Sequence, residues 1–256
     1  MATKKKEQTV EEKGLADIDW STDAGAGFET VQQDDLGLPM LQIVQKMSPE
    51  VDEDDPKYIE GVKPGDVLFS LTKKCMADKT DPLVFVPCGY QKAYVEWAPR
   101  ETGGGYVTAH KQPILSHTTK NEKGQDVLAT GNLIVTTAYV FGFVYDEDEK
   151  DWIFVIISMS STQLKKARQW LNIMSGHKME GKDGKKMLLP MFSHKYNIST
   201  QPESNEHGTW YGWKIECSDM VSEAELVGKC REQHKAIRDG SMAALAAPED
   251  GKDVPF

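Results

Sequence analysis

Three short runs interleave aromatic and basic residues in a way that suits stacking on flat rings and pairing with anions. In "GYQKAYVEWAPR" (89–100), the two-residue period of a strand puts Tyr90, Lys92, Tyr94 and Glu96 on one face. Ala93, Val95 and Trp97 fall on the other, and Arg100 closes the run. "MFSHKYNIS" (191–199) places Phe192, His194 and Tyr196 together with Lys195 opposite, and "TWYGWKIE" (209–216) adds Trp210, Tyr211, Trp213 and Lys214. An unpaired nucleic-acid strand needs this combination, because every base has a π-face and every linkage a phosphate. Aromatic residues on strands are also common core material, so burial is the competing expectation for each.

A second basic group lies on a helix. "SSTQLKKARQWLNIMSG" (160–176) has Leu164, Ala167, Leu171 and Met174 at helical spacing, with Ser160, Ser161 or Thr162 available to cap its start and Gly176 to end it. The opposite face carries Lys165, Lys166 and Arg168. The following run "HKMEGKDGKK" reads as a glycine-containing loop with Lys178, Lys182, Lys185 and Lys186. These lysines are phosphate-tracking candidates, although most charge runs are simply solvated.

Charge is segregated along the chain. The net charge is −10, yet residues 160–200 carry 8 basic and 2 acidic residues, whereas residues 1–60 carry 15 acidic and 6 basic. Such separation predicts a basic face on an acidic protein.

The elements that must position these residues are mostly strands. "DVLFSL", "LVFVPCGYQKAYVEW", "NLIVTTAYVFGFVY" and "WIFVIISM" are rich in Val, Ile, Phe, Tyr and Thr, and "KTDP", "RETGGG", "KNEKGQ" and "DEDEKD" separate them. A last amphipathic helix is expected over roughly 222–238, ahead of Gly240. The expected fold is mainly β with a few helices: an OB-fold-like β-barrel of about five or more strands, with a β-sandwich as the alternative. Residues 1–27 read as a flexible arm, 28–240 as one domain, and 241–256 as an acidic tail.

Catalytic signatures are weak. Gly103-Gly104-Gly105 lacks the flanks of a phosphate loop, and G-x-S-x-G, H-E-x-x-H and C-x-x-C are missing. The acid run Asp52–Asp55 lies in a Pro- and Asp-rich loop rather than on a rigid element. No enzyme activity, cofactor or metal is therefore expected. Cys75, Cys88, Cys217 and Cys230 are expected as reduced, buried thiols. No apolar run approaches the ~20 residues of a membrane helix, and the N-terminus lacks the apolar region of a secretory signal. The expected location is the cytoplasm, that of the host cell for a phage-encoded chain, with no membrane partner.

"DVPF" at 253–256 resembles the acidic tail of bacterial single-stranded DNA-binding proteins, in which acidic residues precede a small hydrophobe, Pro and Phe. The stretch from "GLPMLQIVQKMSPEV" through "YIEGVKPGDV" and "VPCGYQKAYVEWAPR" to "TWYGWKIE" resembles the replication-linked single-stranded DNA-binding proteins of tailed phages. The resemblance implies an OB-fold core that coats single-stranded DNA during replication, recombination and repair. It also implies that Asp253, Val254, Pro255 and Phe256 recruit a polymerase, helicase or nuclease. Lys252 interrupts the acid run and departs from the family pattern. The other reading is a phage recombination-mediator or protein-interaction factor whose main ligand is another protein and whose aromatics are core. A homo-oligomer is compatible with a small barrel, but no residue specifies one.

Overall fold

The computed structural model describes residues 20–31, 36–99, 101, 103–110, 114–206 and 208–242. Contacts divide the chain into two units, Met1–Leu36 and Gly37–Phe256. Within the first, Trp20–Asp23 forms a single 3-10 turn. Most of the expected arm (1–19), most of the expected tail (243–256, including Asp253, Val254, Pro255 and Phe256) and Arg100 lie outside the described residues.

All described strands and both α-helices belong to the second unit. The strands are β1 (Met40–Ile43), β2 (Val67–Phe69), β3 (Cys75–Ala77), β4 (Leu83–Trp97), β5 (Tyr106–His110), β6 (Thr118–Lys120) and β7 (Asp126–Leu128). They continue with β8 (Leu133–Asp146), β9 (Asp151–Ser160), β10 (Lys178–Glu180), β11 (Lys186–Leu188), β12 (His194–Asn205) and β13 (Gly208–Met220). Helix α1 spans Leu164–Gly176 and α2 spans Ala224–Asp239. With 43% of the described residues in strands and two α-helices among them, the protein is mainly β, and its main sheet curls into a half-barrel.

The strand order is β13-β12-β4-β8-β9-β1-β2-β3, with β5 paired to the end of β4, β7 to the start of β8, and β6 to β7. Neighbours are antiparallel except for the parallel β1–β9 pair. β4 bends at a bulge between Pro87 and Gly89. Proline cannot donate to a ladder, so it sits where β12, paired to β4 only opposite Leu83–Phe85, has already left. Across the bulge Gly142 is required: a Cβ there would collide with the Val86 carbonyl oxygen and the Phe85 ring.

One buried cluster draws on both ends of the strand order: Leu41, Val67 and Ala77 from β1–β3, and Tyr196, Ile198 and Trp213 from β12–β13. Only a curled sheet brings these together, so this cluster fills the inside of the curl. Helix α1 packs into it through Ala167, Trp170 and Met174. Trp170 lies between Phe85 and Tyr196, at centroid distances of 5.5 and 5.4 Å. The outer face is covered by α2, whose Leu226, Cys230 and Ile237 pack on Val86, Cys88 and Phe141. Gly89 leaves room for Ile237, and Gly240, at φ +80°, ends α2 in the left-handed conformation.

The thirteen strands among the described residues meet the expectation of five or more. Two local expectations need correction. The glycine-containing lysine loop is a hairpin, β10–β11, with Met179 opposite Met187. No Ser or Thr side chain caps α1: Ser161–Gln163 form a 3-10 turn, and Gln163 at the cap position makes no side-chain bond to the helix backbone. Its amide is engaged with the β12–β13 hairpin instead.

Candidate nucleic-acid interface

Helix α1 has no acidic residue. Its buried residues Ala167, Trp170 and Met174 follow helical spacing and fix which side faces out. Lys165, Arg168, Gln169 and Asn172, at i, i+3, i+4 and i+7, form one exposed stripe.

Lys166, beside that stripe, is committed to the fold. Its Nζ donates to the Trp213 carbonyl oxygen and forms an ion pair with Glu203. The Glu203 carboxylate also accepts from Gln163 Nε2 at 3.2 Å and from Trp210 Nε1 at 2.9 Å. Gln163 Oε1 in turn accepts from the Trp213 N–H at 3.1 Å. Gly212 makes the clasp feasible, since a Cβ there would lie 2.5 Å from Gln163 Nε2. Burial pushes the Glu203 carboxyl up, but Lys166, Trp210 and Gln201 outweigh it and hold it below the ordinary glutamate range. The clasp pins the start of α1 to the β12–β13 hairpin and uses two of the residues proposed for DNA contact, Lys166 and Trp210.

Above the clasp, α1 and β12–β13 enclose a groove of about 500 Å³. Gln169, Asn172 and Ile173 line it from the helix, and Gln201, Lys214 and Ile215 from the strands. The buried rings of Trp170 and Trp213 close its inner side. Lys214 reaches Glu216 at 3.0 Å in an exposed pair, a kind that contributes roughly 0–1 kcal/mol and yields readily to another anion.

The β10–β11 hairpin follows α1 directly and adds Lys178, Lys182, Lys185 and Lys186, all exposed. It also exposes Met179, Met187 and Leu188, the last at 62%. Acid is sparse here: Asp183 lies 3.7 Å from Lys185, and Glu180 is the other carboxylate of the hairpin.

The strand aromatics are placed differently from the expectation. Tyr94 and Trp97 are each 5% exposed and Tyr196 is 0% exposed, so their rings are packed inside and present no face to a base. β4 is covered on both faces from Ala93 to Trp97, with β5 and β8 alongside, and alternation there separates two buried sets. Trp97 packs edge-on against Tyr106 at 6.1 Å. Tyr90 is half-buried against the inner cluster, and Lys92 is exposed with its Nζ 5.6 Å from the Tyr94 ring centre. Lys195 pairs with Glu223 at 2.5 Å beside the Trp152 ring, on the side of α2. Lys165 and Arg168 are thus brought together with the clasped Lys166 and Trp210. Lys92 and Lys195 lie elsewhere, and Tyr196 is buried beneath α1 against Trp170. Gln169 and Asn172 were missed, although their spacing from Lys165 and Arg168 was a readable signal.

Tyr196 meets His177 Nε2 through its hydroxyl at 3.2 Å, and His177 stacks on His194 at 3.8 Å. Burial, and then the neighbouring His177, hold His194 below the ordinary histidine range. The thiols also divide: Cys88 and Cys230 are buried, whereas Cys75 and Cys217 are exposed, correcting the expectation of four buried thiols. Among the described residues no three His, Cys, Asp or Glu side chains gather where they could hold a metal ion. None of the described helices is long and apolar enough to cross a membrane.

Fold and site define a mainly β half-barrel protein with a cationic helix face beside a groove. The chain belongs to the Pam3 phage gp34-like protein family, whose model matches residues 5–243, and is a bacteriophage protein. Comparison with curated proteins and with solved structures returned no match.

Proposed function

We propose that this phage protein is a non-catalytic single-stranded DNA-binding protein that coats and protects single strands in replication, recombination and repair. The observation that carries the proposal is the exposed, acid-free stripe of Lys165, Arg168, Gln169 and Asn172 on α1, of which Gln169 and Asn172 line the groove against β12–β13. Cations on a helix face follow the phosphates, and the β10–β11 lysines extend the track. The aromatic contribution is smaller than the sequence suggested, because three of the candidate rings are core. In this reading the segment Asp253–Phe256 recruits a replication or recombination protein through its acidic and aromatic residues.

A second reading has support of its own. The burial of Tyr94, Trp97 and Tyr196, together with the exposed Met179, Met187 and Leu188, suits a recombination-mediator or interaction protein whose main ligand is a protein. Fluorescence anisotropy separates the two, using a labelled strand of roughly 30 nucleotides, single and duplexed, across a salt series. Tight binding of the single strand alone, weakening steeply with salt, supports the coat protein. Absence of binding at low salt rejects it and leaves the protein-ligand reading.

A further inference from the structure

We infer that the groove between α1 and the β12–β13 hairpin is a pocket for one unpaired nucleobase, whose polar edge is read by the side-chain amides of Gln169 and Asn172. The inference rests on the single-strand reading above and adds to it a base preference.

The groove's volume of about 500 Å³ lies within the roughly 300–1,000 Å³ of small-ligand sites. It is suited to one nucleotide rather than to a duplex or a packed helix. Its chemistry is more specific than charge. A lysine only donates, whereas each amide offers donors and an acceptor on one planar group, matching the paired donors and acceptors of a base edge. Gln169 and Asn172 are one helical turn apart on the same exposed stripe, and both line the groove. Neither amide has a hydrogen-bonding partner among the described residues. Gln201 is different, since its amide bonds to Glu203.

The remaining wall completes a nucleotide site. Ile173, 41% exposed, and the half-buried Ile215 offer apolar surface for the faces of the base. Glu203 is neutralised by Lys166, so no free carboxylate opposes a phosphate there. Lys165 and Arg168 along the helix, and Lys214 on β13 once a phosphate displaces Glu216 from their exposed pair, are the cations for the linkages on either side. A docked side chain from a protein partner would use the isoleucines but would have no need of two unpaired amides.

The test compares full-length wild type with the Gln169→Ala/Asn172→Ala double variant on oligo-dT, oligo-dC and oligo-dA of equal length. Both positions are exposed on a helix, where alanine is favourable, so the variant should fold. Wild type is expected to prefer one homopolymer by roughly five-fold or more, and the variant to lose the preference while still binding the least favoured strand. Equal wild-type affinity for all three, or a preference that survives in the variant, overturns the base pocket and leaves single-strand binding standing. Absence of binding to every strand overturns the single-strand reading and the pocket with it.

Discussion

Gln45 exchanges two hydrogen bonds with the backbone of Tyr211: its Nε2 donates to the carbonyl oxygen at 3.0 Å, and its Oε1 accepts from the N–H at 2.8 Å. Gln45 follows β1, and Tyr211 lies on the edge strand β13. The side-chain amide thus does what a neighbouring strand would do, joining the two arms of the curl. Lys46 Nζ to Thr209 Oγ1, at 2.8 Å, and the Thr200 hydroxyl to the Gly65 carbonyl reinforce the join. Opposite Tyr211 on β12 stands Pro202.

The closure should be measurable. Gln45→Ala is expected to lower stability by about 1–3 kcal/mol, because it strands a backbone donor and acceptor. Gln45→Glu should do at least as much, since its carboxylate can accept from the N–H but repels the carbonyl. Urea denaturation midpoints check both. A neutral Gln45→Ala would show that water replaces the amide without cost.

Removing Lys165 and Arg168 together should weaken single-strand binding and reduce the salt slope by about 1.4, since each phosphate left unneutralised lowers it by ~0.7. Lys195→Ala should leave the slope unchanged, because its ammonium is already paired with Glu223. Equal effects from both variants would move the interface away from α1.

Trp97 and Tyr196 should behave as core residues. Trp97→Ala is expected to cost ~3–5 kcal/mol. The milder Trp97→Phe and Tyr196→Phe should lower the melting temperature while the folded protein keeps its affinity for single strands. A selective loss of binding at unchanged melting temperature would contradict their burial.

The clasp makes stability depend on pH. The Glu203 pKa is depressed in the folded state: burial raises it, and Lys166 and Trp210 outweigh burial. The folded state therefore binds that proton less readily than the unfolded chain. The stabilisation is fully present above the unfolded glutamate pKa of about 4.3 and is lost as pH falls through the lower folded value. Glu203→Gln should be less stable at neutral pH and show a shallower decline between roughly pH 5 and 3. Identical pH profiles would place the acid sensitivity in other depressed carboxyls, such as Asp146 beside Lys74.

Thiol labelling should occur in two stages. Cys75 and Cys217 are exposed and should react with an aromatic disulfide reagent in the folded protein. Cys88 and Cys230 should react only after unfolding, since burial pushes the Cys230 thiol up to about 12 and Cys88 higher still. Rapid labelling of all four would mean that α2 detaches readily from the sheet.

The β character, the two helices and the basic 160–200 segment were legible in the sequence because each is written locally. Val-, Ile- and Phe-rich runs between turn residues specify strands, and Ala167 and Met174 at helical spacing specify which side of α1 is buried. Period-two alternation correctly separated the Tyr94 set from the Trp97 set, but it carries no information on whether a second layer covers the remaining face. In β4 both faces are covered, and the expected stacking surface became core. Long-range partners decided the rest. Lys166 looked like a free cation until Glu203, 37 positions away, was folded against it. Gln45 looked like an ordinary polar residue until the curl brought Tyr211 to it, 166 residues along the chain. Propensity and pattern act over a few residues and determined the elements. The closure, the clasp and the groove depend on which distant side chains the curl brings within hydrogen-bonding distance, and only the tertiary structure decided those.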